Sequence, residues 1–458
     1  MSKKVLIAIT HLNPRWLRIY SERISAITNL GSEIYLLDLS GYSFPSRQTL
    51  LGRFWLKEMA GHSNISLIAL PSKKLSSRTI SQTEPFLSSD LYSYFKDDSP
   101  QGFLAKTFLH SLGLKLAQMA TGLSQTIDAL KIEEVYISNG RGAAQRVLAH
   151  IVSQKIDISV LYLETGMPHN PTGDKYFLAE YPIHDRIARQ ADFLKSSMTE
   201  AKVREISDSW LLPRTSATSR TNAFAGLWDD TLTVTSHENV FFTSSTDEYW
   251  ALGEQWHEDE WEDQYEAFDA ILTCLEARGE SDSALRIHPN LLNKSVRYVK
   301  RELERIRWIS ARHPDLVVIY PQEPVNSYRL VEGARRVVVS MSTIGLEASA
   351  AGKPVWATSA NSYDLIADIR RVLRPGDLTM ETLEIWNVSD LGARRYLAEQ
   401  LLEGVPYAVF LKKFKDPTWQ TLPFRNLLFR LSFSLLRAVR KRVVLRLTGN
   451  FSLQRRKP

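Results

Sequence analysis

Two short stretches carry residues suited to gripping an anion. The first is His288-Pro289-Asn290, which follows the apolar run Ala284–Ile287. Ligands of parallel α/β sheets bind outside the carboxyl ends of strands, and a histidine there can donate a hydrogen bond or a proton to a leaving phosphate. The plainer reading is that Pro289 stops the strand and His288 caps a loop; Arg286, alternating away, is expected to pair with acids elsewhere. The second stretch is Ser340-Met341-Ser342-Thr343-Ile344-Gly345-Leu346-Glu347-Ala348, which leaves the buried run Arg336–Ser340 and enters a helix closed near Gly352-Lys353-Pro354. A helix N-terminus offers backbone N–H groups without intrahelical partners. Ser342 and Thr343 are therefore placed to hold a phosphate, and Glu347, about one turn on, to reach a ribose hydroxyl. An ordinary helix cap, with Gly345 present for close packing, is the competing explanation.

Other chemistries are excluded or disfavoured. No Gly-rich dinucleotide fingerprint follows the first strand and no Walker-type loop occurs, which argues against NAD and ATP. A single cysteine, Cys274, rules out a disulfide framework and a Cys-rich zinc site; its place in the run Ala270–Leu275 suits a small buried apolar residue. The acidic stretch from Glu254 to Asp269, interspersed with Trp256 and Trp261, reads as a solvated helix face, because like charges so close need water.

These residues need a sheet to place them. Val5–Thr10, Ile34–Leu39, Ile65–Leu70, Val135–Ser138 and Ile158–Leu163 are apolar runs suited to strands buried on both faces, with a helical pattern from Trp16 to Leu30 between the first two. A second series follows the polar stretch Thr215–Asn239: Val240–Thr243, Ala284–Ile287, Leu316–Ile319, Arg336–Ser340 and Pro354–Ala357, with helices over 262–278 and 293–311. A chain of 458 residues is too long for one ordinary core. The expected fold is α/β: two Rossmann-like domains facing a cleft (1–214 and 240–390), a linker at 215–239, and C-terminal helices with a basic tail at 391–458.

Strand–His-Pro and strand–Ser-Thr-x-Gly-x-Glu-Ala together resemble the donor half of a two-domain (GT-B type) glycosyltransferase. More closely, the chain resembles the bacterial capsule polysaccharide biosynthesis family, which includes enzymes that transfer Kdo from a CMP-activated donor. The resemblance runs through Phe241-Phe242-Thr243-Ser244-Ser245-Thr246-Asp247-Glu248, Gln264, Arg286–Asn290 and Ser342–Pro354, and in the first domain through Asn139-Gly140-Arg141 and Glu164-Thr165-Gly166. It covers about 133–365 and is thin before that.

This resemblance implies roles. His288 and Pro289 match the motif that contacts the CMP phosphate, Ser342 and Thr343 the motif that grips the same phosphate, and Ser244 and Ser245 fall in the nucleotide-sugar stretch. Asp247 and Glu248 are left between nucleotide, acceptor and a neighbouring loop. Asn139 and Arg141 are expected acceptor or donor contacts. A base for the acceptor hydroxyl is sought in the first domain: Glu164, which also suits a cap or an ion pair with Arg141, ahead of Asp174 and Asp185, with His184 nearby. No metal or other cofactor is expected, since protein donors can stabilise the leaving nucleotide and no Asp-x-Asp follows a strand. The activity implied is inverting transfer of a Kdo-like sugar from a CMP-sugar to a lipid or glycan acceptor. Two alternatives stay open: a UDP-sugar 2-epimerase, and a noncatalytic capsule assembly or export factor of the same fold.

Charge separates the tail from the body. The chain carries 57 Lys plus Arg and 51 Asp plus Glu, a formal +6, yet residues 411–458 hold 13 basic side chains and one acid. The rest is mildly acidic, which disfavours a nucleic-acid binder. From Phe424 to Lys441, Phe424, Leu427, Leu428, Leu431, Leu435, Ala438 and Val439 share one helical face, with Arg430, Arg437, Arg440 and Lys441 opposite. Such a helix lies on an anionic membrane, or packs on the body with its charged face solvated; the membrane is the expected partner. No signal peptide or transmembrane helix is expected, because the apolar stretch at Val5–Thr10 is short and no run of about 18 uncharged apolar residues occurs. The expected location is the cytoplasm, peripheral on the inner face of the cytoplasmic membrane, with capsule assembly proteins as further partners.

Overall fold

The computed structural model describes residues 2–42, 50–70, 83–166, 174–182, 184–195, 197–215, 236–252, 256–257, 259–402 and 404–407. The basic helix at 424–441, the tail at 411–458 and most of the 215–239 linker lie outside these residues. The chain divides into two compact units. Unit 1 runs to Phe95, resumes over Ser99–Asp185 and takes in the short strand Val405–Pro406; unit 2 is Lys96–Asp98 with Arg186–Leu402.

Unit 1 is built on β1 (Lys4–Ile9), α1 (Pro14–Asn29), β2 (Glu33–Asp38), α2 (Leu50–Met59), β3 (Ile65–Ile68), α3 (Ser88–Phe95), α4 (Phe103–Leu130), β4 (Glu134–Ser138), α5 (Ala143–Ser153), β5 (Ser159–Thr165) and β6 (Lys175–Ala179). Val5 to Ile9 are all buried, as a strand covered on both faces requires. Val5 stands between Ile34 and Glu134 in two parallel ladders. The strand order is β6-β5-β4-β1-β2-β3, with Val405–Pro406 beyond β6. Asn13 starts α1 by accepting the Trp16 N–H at 3.1 Å, and Pro14 occupies the first helical position, where no N–H is needed.

In unit 2, α6 (Arg186–Leu194) and α7 (Glu200–Thr215) precede β7 (Asn239–Phe242) and α8 (Thr246–Trp250). Then come α9 (Gln264–Ala277), β8 (Ser283–Arg286), α10 (Val296–Arg312), β9 (Val317–Ile319), α11 (Ser327–Gly333), β10 (Arg336–Val339), α12 (Thr343–Ala350), β11 (Val355–Ala357), β12 (Arg370–Arg371) and α13 (Leu391–Leu402). The sheet order β12-β11-β10-β7-β8-β9 is wholly parallel. Both units are thus α/β and Rossmann-like. In each, the first strand lies between two strands reached in opposite directions, so a switch point falls at β1/β4 and at β7/β10.

Three details differ from the sequence reading. Helices α6 and α7 fall in unit 2, ahead of the boundary expected at 214, because α7 packs on α13 and Arg204 and Arg394 both bind Asp390. The strand β6 is antiparallel to β5 and only five residues long, a half-buried run that apolar patterning passes over. The acidic stretch is not a solvated helix face. Trp256 and Trp261 are buried, Asp263 caps α9, and Arg305, Arg312 and Arg374 pair with Glu262, Asp263, Asp269 and Glu260.

Candidate functional site

The carboxyl ends of β7 and β10 are joined by side chains. Ser244, just past β7, is buried; its Oγ accepts the Met341 N–H at 3.1 Å. Gln264, at the start of α9, brackets the same residue, accepting the Ser244 N–H at 2.8 Å and donating to its carbonyl at 3.2 Å. Thr243 Oγ1 accepts the His288 N–H at 2.8 Å. The strand ends carrying the serine/threonine motif and the His-Pro motif are therefore both fastened to the Thr243–Ser244 corner. Ser245 is also buried, its carbonyl accepting the Glu248 N–H.

His288 caps the short 3-10 turn Pro289–Asn293, its Nδ1 accepting the Asn290 N–H at 3.0 Å. The plainer sequence reading, a loop cap, is what this contact shows. An Nδ1 that accepts leaves the proton of the neutral ring on Nε2. Burial, reinforced by Lys294 and Arg286 against the opposing pull of Glu248, takes the imidazole down to about 4, so the ring is neutral at physiological pH.

Ser342 is the N-cap residue of α12 and makes no side-chain cap hydrogen bond; Thr343 is exposed in the first turn. Tyr363 donates to the Ser342 carbonyl at 2.6 Å, and a Cβ on Gly345 would lie 2.4 Å from the same phenol oxygen. Gly345 is therefore required by packing. The Ser340 carbonyl accepts from Asn361 Nδ2 at 3.0 Å, and Ser359 joins Ser340 to Asp259.

Two expectations need correcting. Glu347, expected to reach a ribose hydroxyl, is held inside the protein instead. It is buried, and Arg214 of α7 donates to its Oε1 at 3.1 Å; burial raises its carboxyl against the pull of that arginine. One turn into a helix whose inner face is wholly buried, the side chain points to the protein. Among the described residues Arg286 has no acid as its main partner: it is buried and donates to the Tyr320 carbonyl at 2.7 Å and, more weakly, to those of Glu323 and Val325.

Asp247 and Glu248 meet a residue that sequence reasoning missed. Lys294 Nζ lies 2.5 Å from Asp247 Oδ1 and 3.2 Å from Glu248 Oε1, and Glu248 Oε1 also accepts from Asn290 Nδ2 at 2.7 Å. Burial raises the Asp247 carboxyl although Lys294 opposes it, whereas the cations outweigh burial at Glu248 and hold it low. The one local signal for Lys294 was a lone cation shortly after His288, directly following Leu291-Leu292-Asn293.

In unit 1, Asn139 and Gly140 leave β4 with φ of 35° and 73°. Asparagine tolerates this left-handed region, and its Oδ1 accepts the Arg141 N–H at 3.0 Å. Glu164 lies in β5; its Oε1 accepts from the Thr165 N–H and hydroxyl, and its Oε2 is 3.9 Å from Arg141 Nη2. Asn139, Arg141 and Glu164 thus share one corner of unit 1. His184 belongs to the same corner: burial, then Arg146 and Arg141, lower its ring to about 3. Asp174 is exposed beside β6, and the Asp185 N–H bonds to the Pro182 carbonyl. Among the described residues no group of three or more His, Cys, Asp or Glu is placed to hold a metal ion, and no helix is long and apolar enough to cross a membrane.

No family model and no curated protein matches the chain. Similar solved structures include the Thermosulfurimonas dismutans KpsC beta Kdo 2,4 transferase, at 13% identity and a TM-score of 0.38, covering 58% of this chain and 79% of that one. A glycosyltransferase from Rickettsia africae is 9% identical with a TM-score of 0.32, covering 90% and 97%. The Methanocaldococcus jannaschii UDP-GlcNAc 2-epimerase, solved with UDP-GlcNAc and UDP, is 10% identical with a TM-score of 0.29, covering 88% and 98%.

Proposed function

We propose that the chain is a nucleotide-sugar-dependent glycosyltransferase of capsule or other surface polysaccharide biosynthesis. It transfers a Kdo-like sugar with inversion from a CMP-activated donor to a lipid or glycan acceptor. The observation that supports this reading is the Thr243–Ser244 corner, which holds a neutral imidazole donor and a helix N-terminus bearing Ser342 and Thr343 at one switch point. The leaving phosphate gains charge as the glycosidic bond breaks. The Nε2–H of His288, the hydroxyls of Ser342 and Thr343 and the first N–H groups of α12 are preorganised to receive that charge.

On the same reading Glu164 accepts the proton of the acceptor hydroxyl, and Asn139 and Arg141 contact substrate. Ser244 serves by fastening the corner, and Glu347 by anchoring α12. The basic tail holds the enzyme at the inner face of the cytoplasmic membrane.

A thermal-shift panel of CMP, UDP, GDP and ADP tests the donor class. A selective rise with CMP is expected. A rise with UDP alone would favour the epimerase, and silence with all four the noncatalytic assembly factor. A chain ending at Leu411 should leave the membrane fraction and keep its response to CMP; continued pelleting would remove the tail from the proposal.

A further inference from the structure

We propose that Lys294 is a positioning residue for His288: its buried ammonium holds Glu248, Glu248 orients Asn290, and Asn290 fixes which imidazole nitrogen bears the proton. The inference deepens the donor-phosphate reading, which needs a proton on Nε2.

The geometry carries it in three links. The Lys294 side chain is 0% exposed, and its ammonium contacts Asp247 and Glu248. Ordering a lysine in such a place is costly unless carboxylates repay the lost hydration. Asp247, itself 1% exposed, would suffice for that purpose and for anchoring α8. Glu248 does more, because the same Oε1 accepts from Asn290 Nδ2 at 2.7 Å. The Asn290 side chain is held from its other end by Asn293 Nδ2 at 3.2 Å. With both ends of that amide fastened, the Asn290 backbone N–H stays directed at His288 Nδ1, 3.0 Å away. Neither Asp247 nor the packing of Lys294 against the Tyr298 ring requires the contact to Glu248.

The charged groups facing the imidazole are Glu248 from α8, Lys294 beyond the 3-10 turn, and Arg286 from β8. Lys294 both disfavours a second proton on the ring and restrains the carboxylate that would attract one. Its removal therefore acts twice in the same direction, and the ring's midpoint rises from about 4 towards its ordinary value.

The test uses the full chain with 15N-labelled histidine, the His288 ring assigned with His288→Gln, and CMP as the probe. The wild-type ring is expected as the Nε2–H tautomer, unprotonated down to pH 5. In Lys294→Met its midpoint should rise by about one pH unit or more and the two tautomers should mix. CMP affinity should fall about tenfold, the loss of one charge-assisted hydrogen bond. Asp247→Asn, which spares the Glu248–Asn290 link, should leave the tautomer unchanged. Should Lys294→Met fail to fold, Glu248→Ala at the exposed end of the chain of contacts should mix the tautomers in a folded protein. An unchanged ring in the folded Lys294→Met or Glu248→Ala protein overturns the proposal. Mixed tautomers in a protein whose parent never binds CMP would uphold the positioning role and sink the donor reading instead.

Discussion

The switch points of the two units share a strand order and differ in the turn and the charges beside it. At β7/β10 buried side chains knit the corner, Ser244, Gln264, Thr243 and Tyr363 all bonding to backbone, and the Lys294–Asp247 pair nearby is buried. At β1/β4 buried side chains knit the corner too, Tyr20 accepting the Thr10 N–H and Gln145 joining Thr10 to the Gly142 N–H, but the turn runs through Asn139 and Gly140 at positive φ and its charges are looser. Arg141 is half exposed and 3.9 Å from Glu164. On the proposed reading, the neutral donors at β7/β10 take the nucleotide phosphate, and the exposed guanidinium and carboxylate at β1/β4 take the substrate that varies.

The largest expected contrast is in ion pairs. Asp364 accepts from Arg186 and Gln190 and is 0% exposed; Asp364→Ala should destabilise the protein by about 3–5 kcal/mol. Arg141→Ala in unit 1 should cost less than about 1 kcal/mol. Urea unfolding followed by circular dichroism measures both, and equal losses would break the comparison.

Next come the glycines. Gly345→Ala drives a methyl into the Tyr363 hydroxyl and should cost about 1–3 kcal/mol while lowering CMP affinity. Gly140→Ala, strained at φ 73° and pressed on Tyr162 and Pro182, should cost a similar amount and leave CMP affinity alone. Calorimetry with titration of CMP separates the two.

Binding sharpens the contrast further. His288→Ala and Ser342→Ala should each weaken CMP about tenfold, and Asn139→Ala should not. If the first two proteins bind CMP as the parent does, the donor site is elsewhere.

The smallest effects come from pH. His184 in unit 1 and His288 in unit 2 titrate near 3 and 4 when folded, below the ordinary 6.5. The unfolded chain thus binds more protons as pH falls from 6.5, and both rings lower stability in that window. Glu302 works oppositely. Burial, with Asp98 and Asp263 adding to it against Tyr265 and Arg301, raises it to about 8. It costs stability as pH climbs from its ordinary 4.5 to 8, so Glu302→Gln should stabilise the chain at pH 8 and not at pH 4. Melting temperatures across pH 4–8 test the sign.

Much of this was legible because parallel strands buried on both faces announce themselves as apolar runs; β7, β8, β10 and β11 were each placed within a residue. The Ser342 and His288 corners were legible for the same reason, since they follow those runs. What escaped was long-range pairing. The acids of 260–269 find Arg305, Arg312 and Arg374 at separations of 42 to 114 residues, Glu347 finds Arg214, and nothing in local spacing reveals either. Lys294 escaped because a lysine in sequence is read as solvated until two carboxylates are seen to enclose it.

One tripeptide has a consequence for how the chain is made. Lys96–Asp98 is flanked by helices of unit 1 yet counts among unit 2, where Asp97 takes Ser295 and Arg301, and Asp98 takes Thr246 and Arg301. During synthesis those acids emerge some two hundred residues before their arginine. Cutting the gene at 185/186 would give a second fragment without them, and a first without the strand at Val405–Pro406. The halves are interleaved in sequence, so a split protein should regain its stability only when both pieces are present together.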